Sequence, residues 1–147
     1  MRLAGSRSFF ELNVLDYEYP AGTSQRTERN LLLIGFRAGW HKNQTAKIAP
    51  LLFTWEINSL IDWLLHLRNT GRMAPRLAFN EPCLAFECLS ASANEFLLQV
   101  QLAQEATPDW HHNPYQPFWL PVVVTATQIS EAIDQLKQQA EIFPVRP

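Results

Sequence analysis

The stretch covering residues 45–67, TAKIAPLLFTWEINSLIDWLLHL, constrains the fold more than any other part of the chain. An apolar extended run passes into an amphipathic helix with no spacer between them. From Thr54 onward, Ile57, Ile61 and Leu64 recur at helical spacing, whereas the residues before Thr54 fit a strand. The stretch therefore predicts a strand that leads directly into a helix, with Thr54 as the N-cap of that helix.

Apolar runs on both sides of this helix predict further strands. In residues 10–19 the alternation changes phase near Val14, which indicates a strand with a β-bulge. Residues 31–40 and 45–53 are expected to pair as antiparallel neighbours. Extended runs follow at residues 77–79, 83–89, 95–103 and 118–125, and Pro121 favours an edge or bulged position for the last of them.

A second amphipathic helix is predicted after Thr127, with Ile129, Ile133, Leu136 and Ala140 on its apolar side. Strands interrupted by two helices are typical of the α+β class. The sequence therefore predicts a single α+β domain over residues 1–147, with one antiparallel, bulged β-sheet of about six to seven strands and two amphipathic helices packed on it. No internal repeat and no domain linker are visible.

Charge and hydropathy exclude several classes of function. The net charge of −2 and the pI near 6.1 argue against non-specific nucleic-acid binding, which requires a basic surface. The first residues, MRLAGSRSFF, lack the apolar segment of a secretory signal, so we expect a cytoplasmic protein. No apolar run approaches the roughly 20 residues that span a bilayer, and we expect no membrane association.

The sequence contains no recognisable catalytic or metal-binding motif. Cys83 and Cys88 fall on opposite faces of one predicted strand, so they can neither form a disulfide nor share a metal while that strand is regular. A GxSxG turn and a glycine-rich phosphate loop are both missing. We therefore expect two free thiols, no cofactor, no bound metal and no enzymatic activity.

The long connection over residues 104–117 carries the densest set of functional residue types. One interpretation is an ordered surface loop that Trp110 pins against the core. The other is a partner-binding loop, because Trp and Tyr are enriched where binding energy concentrates. Adjacent histidines in an extended loop point apart, which argues against a metal site. The candidate partner-binding residues are Asp109, Trp110, His111, His112, Tyr115 and Trp119.

Two tracts, LLFTWEINSLIDWLLHL and FNEPCLAFE, are followed by a strand ending near Glu105 and by a Pro-Asp-Trp sequence. In this order the chain resembles the small WapI-type immunity proteins of bacterial contact-dependent toxin systems. The resemblance implies a protein from a mobile or accessory locus that neutralises a partner toxin by binding it. Because these tracts look like scaffold, the resemblance identifies no toxin-contacting residue.

The first hypothesis is therefore a non-enzymatic cytoplasmic protein-binding module, an immunity protein with a toxin as its partner. A second hypothesis is a small-molecule-binding domain or minor enzyme with a pocket between the sheet and the first helix. A third is a domain that acts through self-association as a homo-oligomer, because an unpaired strand edge can pair with a second copy.

Overall fold

The computed structural model describes residues 1–147, and the first half of the chain is a four-stranded antiparallel meander followed by a helix. Sheet 1 contains, in spatial order, β1 (Arg2–Ala4), β2 (Ser8–Tyr17), β3 (Leu31–Trp40) and β4 (Asn43–Phe53). A short helix, α1 (Arg26–Arg29), lies in the connection between β2 and β3. Helix α2 (Thr54–Thr70) starts at the residue after β4, so the predicted strand-to-helix passage is confirmed.

The second half of the chain repeats this order of elements. Sheet 2 contains β5 (Leu77–Ala78), β6 (Leu84–Ala91), β7 (Glu95–Leu102) and β8 (Phe118–Thr125), again in spatial order. A 3-10 turn at Gln104–Ala106 follows β7, and helix α3 (Ala126–Ile142) starts directly after β8. Each half is thus a four-stranded meander with a helix at its end.

The predicted single sheet of six to seven strands is wrong, because the strands form two separate sheets of four, while the α+β class is supported. Helix α2 and the segment that follows it separate β4 from β5, and these two strands do not pair. Periodicity identifies a strand but not its neighbour, so a long helical connection can end a sheet without any signal in the pattern. The short elements β1 and α1 were also not predicted.

One hydrophobic cluster of 34 buried residues joins the two halves. The Phe10 ring of sheet 1 lies 5.8 Å from the Phe86 ring of sheet 2. Trp63 of α2 packs on the same Phe86 at 6.0 Å, while Gln139 of α3 accepts a hydrogen bond from the backbone N–H of Val14 in β2. Helix α2 therefore reaches sheet 2, helix α3 reaches sheet 1, and both sheets share a core.

The bulge and the helix ends show how the local sequence shapes these elements. The register between β2 and β3 shifts between Val14 and Asp16, which confirms the predicted bulge. The N-cap of α2 is Phe53 instead of Thr54, and the Thr54 hydroxyl donates a hydrogen bond to Asn30 at 2.8 Å. Gly71 ends α2 with a φ of 62°, a left-handed conformation that glycine adopts without a Cβ clash.

The N-cap of α3 is Thr125, two residues before the predicted Thr127. Its hydroxyl accepts a hydrogen bond from the backbone N–H of Gln128, and the Gln128 side chain accepts one from the backbone N–H of Thr125. This reciprocal pair is a capping box. The helix therefore begins at Ala126, and the Thr125 side chain accepts a hydrogen bond from a backbone N–H of its first turn.

Candidate functional site

The connection between β7 and β8, residues 103–117, lies against the edge strand β4 of sheet 1. Ala106 is fully buried in the core and anchors the start of the connection. Further along, the Lys47 ammonium of β4 binds the Asp109 carboxylate at 2.8 Å. The Asp109 side chain is otherwise exposed, so this ion pair is a surface contact of modest strength. We call residues 103–117 the binding loop.

An aromatic cluster centred on Phe118 of β8 fixes the middle of the binding loop. The Trp110 ring lies edge-on to Phe118 at 4.8 Å, and the His111 ring lies 5.5 Å from it. Trp40 of β3 approaches the same ring at 6.5 Å. A ring nitrogen of His111 is also 3.0 Å from the backbone oxygen of Gln116. Trp110 thus packs inward, as the pinned-loop interpretation requires.

Some buried polar atoms on β4 and on the binding loop are not hydrogen bonded. Three buried side-chain atoms lack a hydrogen-bond partner: Thr45 Oγ1 on β4, and Thr107 Oγ1 and Trp110 Nε1 on the binding loop. A buried polar group without a partner costs about 1–3 kcal/mol, because it has given up its water. The ion pair between Lys47 and Asp109 is a polar contact that joins the binding loop to β4.

The tip of the binding loop is open to solvent. Tyr115 is 95% exposed, and His112 is exposed as well. The backbone at the tip is ordered by a hydrogen bond from the Tyr115 N–H to the Asn113 side chain at 3.0 Å. The tip therefore presents one large aromatic side chain and one imidazole to solvent.

Trp119 lies apart from the other candidate residues. Because neighbouring residues of a strand point to opposite faces, Trp119 and Phe118 face different sides of β8. The Arg76 guanidinium lies over the Trp119 ring at 5.6 Å and also bonds Gln101 at 2.7 Å. The structure thus brings five of the six candidate residues together on the binding loop and separates Trp119 from them.

Sequence analysis missed an apolar groove on the outer face of sheet 1. The groove has a volume of about 470 Å³ and is lined in part by Leu15, Gly35, Arg37, Lys47 and Ile48. Leu15 is 45% exposed and Ile48 is 66% exposed. The sequence pattern does place these residues outward. The change of phase at the bulge turns Leu15 outward, and the alternation of side chains along β4 places Ile48 on the same outer face.

Burial keeps the two cysteines in the protonated thiol form. The Cys83 thiol donates a hydrogen bond to the Glu105 carboxylate at 3.1 Å, and burial raises the pKa of Cys83 to about 12. Burial also raises the pKa of Cys88. Both cysteines are free and buried, and at neutral pH both remain protonated and are poor nucleophiles.

The structure also bears on metal binding, on the predicted ligand pocket and on membrane spanning. No group of three or more His, Cys, Asp or Glu side chains is close enough to hold a metal ion. Two grooves of about 490 and 470 Å³ lie beside α3 and on the outer face of sheet 1, away from the predicted pocket between the sheet and the first helix. Each helix is too short or too polar to cross a membrane.

Comparison with known protein families gives a match over almost the whole chain. The family model described as Immunity protein WapI-like family matches residues 2–144, which include both sheets and all three helices. No curated protein and no solved structure matches the chain at a significant level. The match agrees with the resemblance carried by the tract at β4 and α2 and by the tract leading into β6. The chain belongs to the WapI-like immunity protein family.

Proposed function

We propose that this protein is a bacterial immunity protein that binds a partner toxin in the cytoplasm and neutralises it without catalysis of its own. Membership of the WapI-like family over residues 2–144 is the observation that carries the proposal. The chemistry of the chain supports it, because the cysteines are held as protonated thiols. Inhibition of an enzyme by a small protein requires only a surface that competes with substrate or distorts the active site.

The binding loop is the first surface that we assign to the toxin. Tyr115 and His112 are its exposed contact residues, and Asp109 adds a carboxylate that is mostly exposed. Trp110 and His111 hold the loop in place through Phe118. A loop ordered before binding loses less conformational entropy on association. The same argument makes Trp110 and His111 positioning residues and leaves Tyr115 as the main source of contact area.

Trp119 is assigned a smaller share of the toxin surface. Its ring lies beneath Arg76, and this pair presents an aromatic and a cation on the outer face of sheet 2. Aromatic residues and Arg are both enriched at interface hot spots. Because Trp119 faces away from the Phe118 cluster, a toxin must extend around the end of β8 to contact both surfaces.

Replacement of Tyr115 tests the role of the binding loop. Tyr115 is 95% exposed, so Tyr115→Ala should leave the free energy of unfolding unchanged. We expect the affinity for the toxin encoded next to this gene to fall at least tenfold, measured by isothermal titration calorimetry. Tyr19→Ala is the matched control, because Tyr19 is an exposed tyrosine outside the loop. Equal affinities for the two variants would remove the binding loop from the interface.

Self-association receives less support from the structure. Strand β4 is one of the two edges of sheet 1, and it contains Pro50 and Lys47. Proline cannot donate a ladder hydrogen bond, and a lysine on an edge strand discourages pairing with another chain. The binding loop also lies against this strand through Asp109. We therefore propose a toxin, and not a second copy of this chain, as the partner.

A further inference from the structure

Residues 143–147, which follow α3, lie along the connection between β2 and β3, and we call them the tail. The Tyr17 hydroxyl donates a hydrogen bond to the backbone oxygen of Pro144 at 2.6 Å. The Arg29 guanidinium donates another to the backbone oxygen of Pro147 at 2.7 Å. Both ends of the tail are therefore fixed to a connection that is distant from it in the sequence.

The buried side-chain amide of Asn30 holds the backbone in the middle of the tail. Asn30 is fully buried, and its Nδ2 donates a hydrogen bond to the Arg146 backbone oxygen at 2.9 Å. Its Oδ1 accepts one from the Arg146 backbone N–H at 2.7 Å. One group can bond the N–H and the C=O of the same residue when that residue is extended, as in a strand pair. Pro147 favours this shape, because a residue that precedes proline is biased towards extended conformations.

Two other contacts orient this amide towards the tail. Asn30 Nδ2 also donates to the backbone oxygen of Arg26 at 2.9 Å, and Asn30 Oδ1 also accepts from the Thr54 hydroxyl at 2.8 Å. All four hydrogen-bonding positions of the amide are thus filled, two of them by the tail. Without an occupant, a buried donor and a buried acceptor would each lose a partner, which is unfavourable. The amide therefore requires an extended backbone beside it.

A second set of contacts is specific for the Arg146 side chain. Its guanidinium lies over the Tyr17 ring, 3.3 Å from the ring centroid, and donates a hydrogen bond to the Tyr19 backbone oxygen at 3.0 Å. A guanidinium can stack on an aromatic ring and bond a carbonyl at the same time, because it is planar, charged and rich in donors. Val145, in contrast, is 41% exposed. Asn30 therefore selects an extended backbone, and Tyr17 selects an arginine.

We propose that residues 17–30 form a binding site for an extended peptide segment that carries an arginine, and that the tail occupies this site as an intramolecular ligand. Because the tail is joined to α3, its effective concentration at the site is on the order of millimolar or higher. A separate segment of the same sequence should therefore bind only when the tail is released. The proposal is independent of the immunity function, because neither the contacts nor the test involves a toxin.

A peptide titration of a variant with a released tail tests the proposal. Arg146→Pro in the full chain removes the guanidinium and the backbone N–H together. The probe is acetyl-Phe-Pro-Val-Arg-Pro-amide, added to the ¹⁵N-labelled variant, and a peptide with Gln in place of the arginine is the specificity control. We expect chemical-shift changes at the Tyr17 backbone amide and the Asn30 side-chain amide, with the Gln peptide binding at least tenfold more weakly. The wild type and Val145→Ala, which keep the tail in place, should also bind the Arg peptide at least tenfold more weakly.

A second variant covers the case in which Arg146→Pro does not fold, as judged by circular dichroism. Arg146→Gln keeps the backbone N–H and removes only the guanidinium, so it should still bind the Arg peptide more tightly than the wild type does. The proposal fails if neither variant binds the Arg peptide, if the two peptides bind alike, or if the shifts include neither Tyr17 nor Asn30. It also fails if the wild type binds the Arg peptide as tightly as the variants. A wild-type dimer that Arg146→Pro dissociates, measured by light scattering, would assign the site to the tail of a second copy instead.

Discussion

At the scale of single residues, Glu56 joins two halves of the chain that strand pairing leaves separate. Its carboxylate accepts a hydrogen bond from the Phe53 N–H at 2.9 Å, where β4 becomes α2. It accepts another from the Asn80 N–H at 2.7 Å, in the connection between β5 and β6. Glu56 is 7% exposed, so its loss would leave two backbone donors to find new partners.

Replacing Glu56 should therefore destabilise the fold. We expect Glu56→Ala to lower the free energy of unfolding by about 2–3 kcal/mol, because unsatisfied buried donors each carry a desolvation cost. Asp62→Ala on the exposed side of the same helix should change it by less than about 0.5 kcal/mol. Urea denaturation followed by circular dichroism measures both. A Glu56→Ala variant as stable as Asp62→Ala would show that this bridge is unimportant.

Glu56 should also make stability depend on pH. Burial raises the pKa of Glu56 above its usual value of 4.5, repulsion from Glu81 adds to the increase, and the two backbone hydrogen bonds oppose it. Between the unfolded and the folded pKa the folded state binds more protons, so the free energy of unfolding falls as pH rises through this window. The stability that Glu56 contributes is therefore fully present only at pH values below its pKa in the unfolded chain.

A non-ionisable variant isolates this effect. Glu56→Gln cannot titrate, so its stability relative to the wild type should increase as pH rises above 4.5 and become constant above the folded pKa of Glu56. Urea denaturation of both proteins at intervals from pH 4 to 7 measures the difference. A difference that is constant with pH, or that declines with rising pH, would show that the Glu56 pKa is not raised.

At the scale of elements, we expect the packing of Trp110 on Phe118 to order the binding loop. We expect Trp110→Ala to speed amide hydrogen exchange across residues 107–117, because the loop loses its contact with Phe118. The free energy of unfolding should fall by about 2 kcal/mol, less than for a fully buried Trp. Tyr115→Ala is the control, since its ring packs on nothing. Unchanged exchange in Trp110→Ala would mean that Ala106 and Asp109 suffice to order the loop.

Most elements were predictable from sequence because their signals are local. The strand β3 and the last strand β8 have the predicted limits, and the bulge in β2 follows from its change of phase. The short strand β1 was missed because three residues show no periodicity. The N-cap of α3 was predicted two residues too late, because Thr125 and Thr127 are both residue types that favour an N-cap and only the backbone geometry distinguishes them.

The repeated order of elements is accompanied by sequence similarity between the two long helices. Their matching positions carry the same residue types, namely Ile57, Ile61, Asp62 and Leu64 in α2 and Ile129, Ile133, Asp134 and Leu136 in α3. The strands show no comparable match, because any alternation of apolar residues satisfies a half-buried strand. A comparison of the sequence with itself could therefore detect the repeat only within the length of one helix.

The site was less predictable than the fold because it depends on which segments meet. Lys47 and Asp109 are distant in sequence, and only the structure shows that they bind each other. Trp110 and Tyr115 belong to the same aromatic-rich segment, yet one packs on Phe118 and the other is 95% exposed. Composition singled out this segment as a candidate, but which of its side chains pack inward and which are exposed depends on the tertiary fold.

At the scale of the whole molecule, the two halves should unfold together. Helix α2 packs Trp63 on Phe86 of sheet 2, and α3 bonds β2 through Gln139, so neither half has its core without the other. We propose that residues 1–147 form one cooperative unit. Tryptophan fluorescence and far-ultraviolet circular dichroism should then give coincident urea transitions. Two separated transitions would indicate two independently stable halves.

Neutralisation by binding is the central claim for the whole molecule, and titration of toxin activity tests it most directly. The proposed partner toxin would be purified and its activity measured against increasing amounts of the chain. We predict that inhibition rises linearly and is complete at one chain per toxin, with both proteins recovered intact in one complex. Inactivation of the toxin by far less than one equivalent, or full toxin activity with the chain in excess, would contradict it.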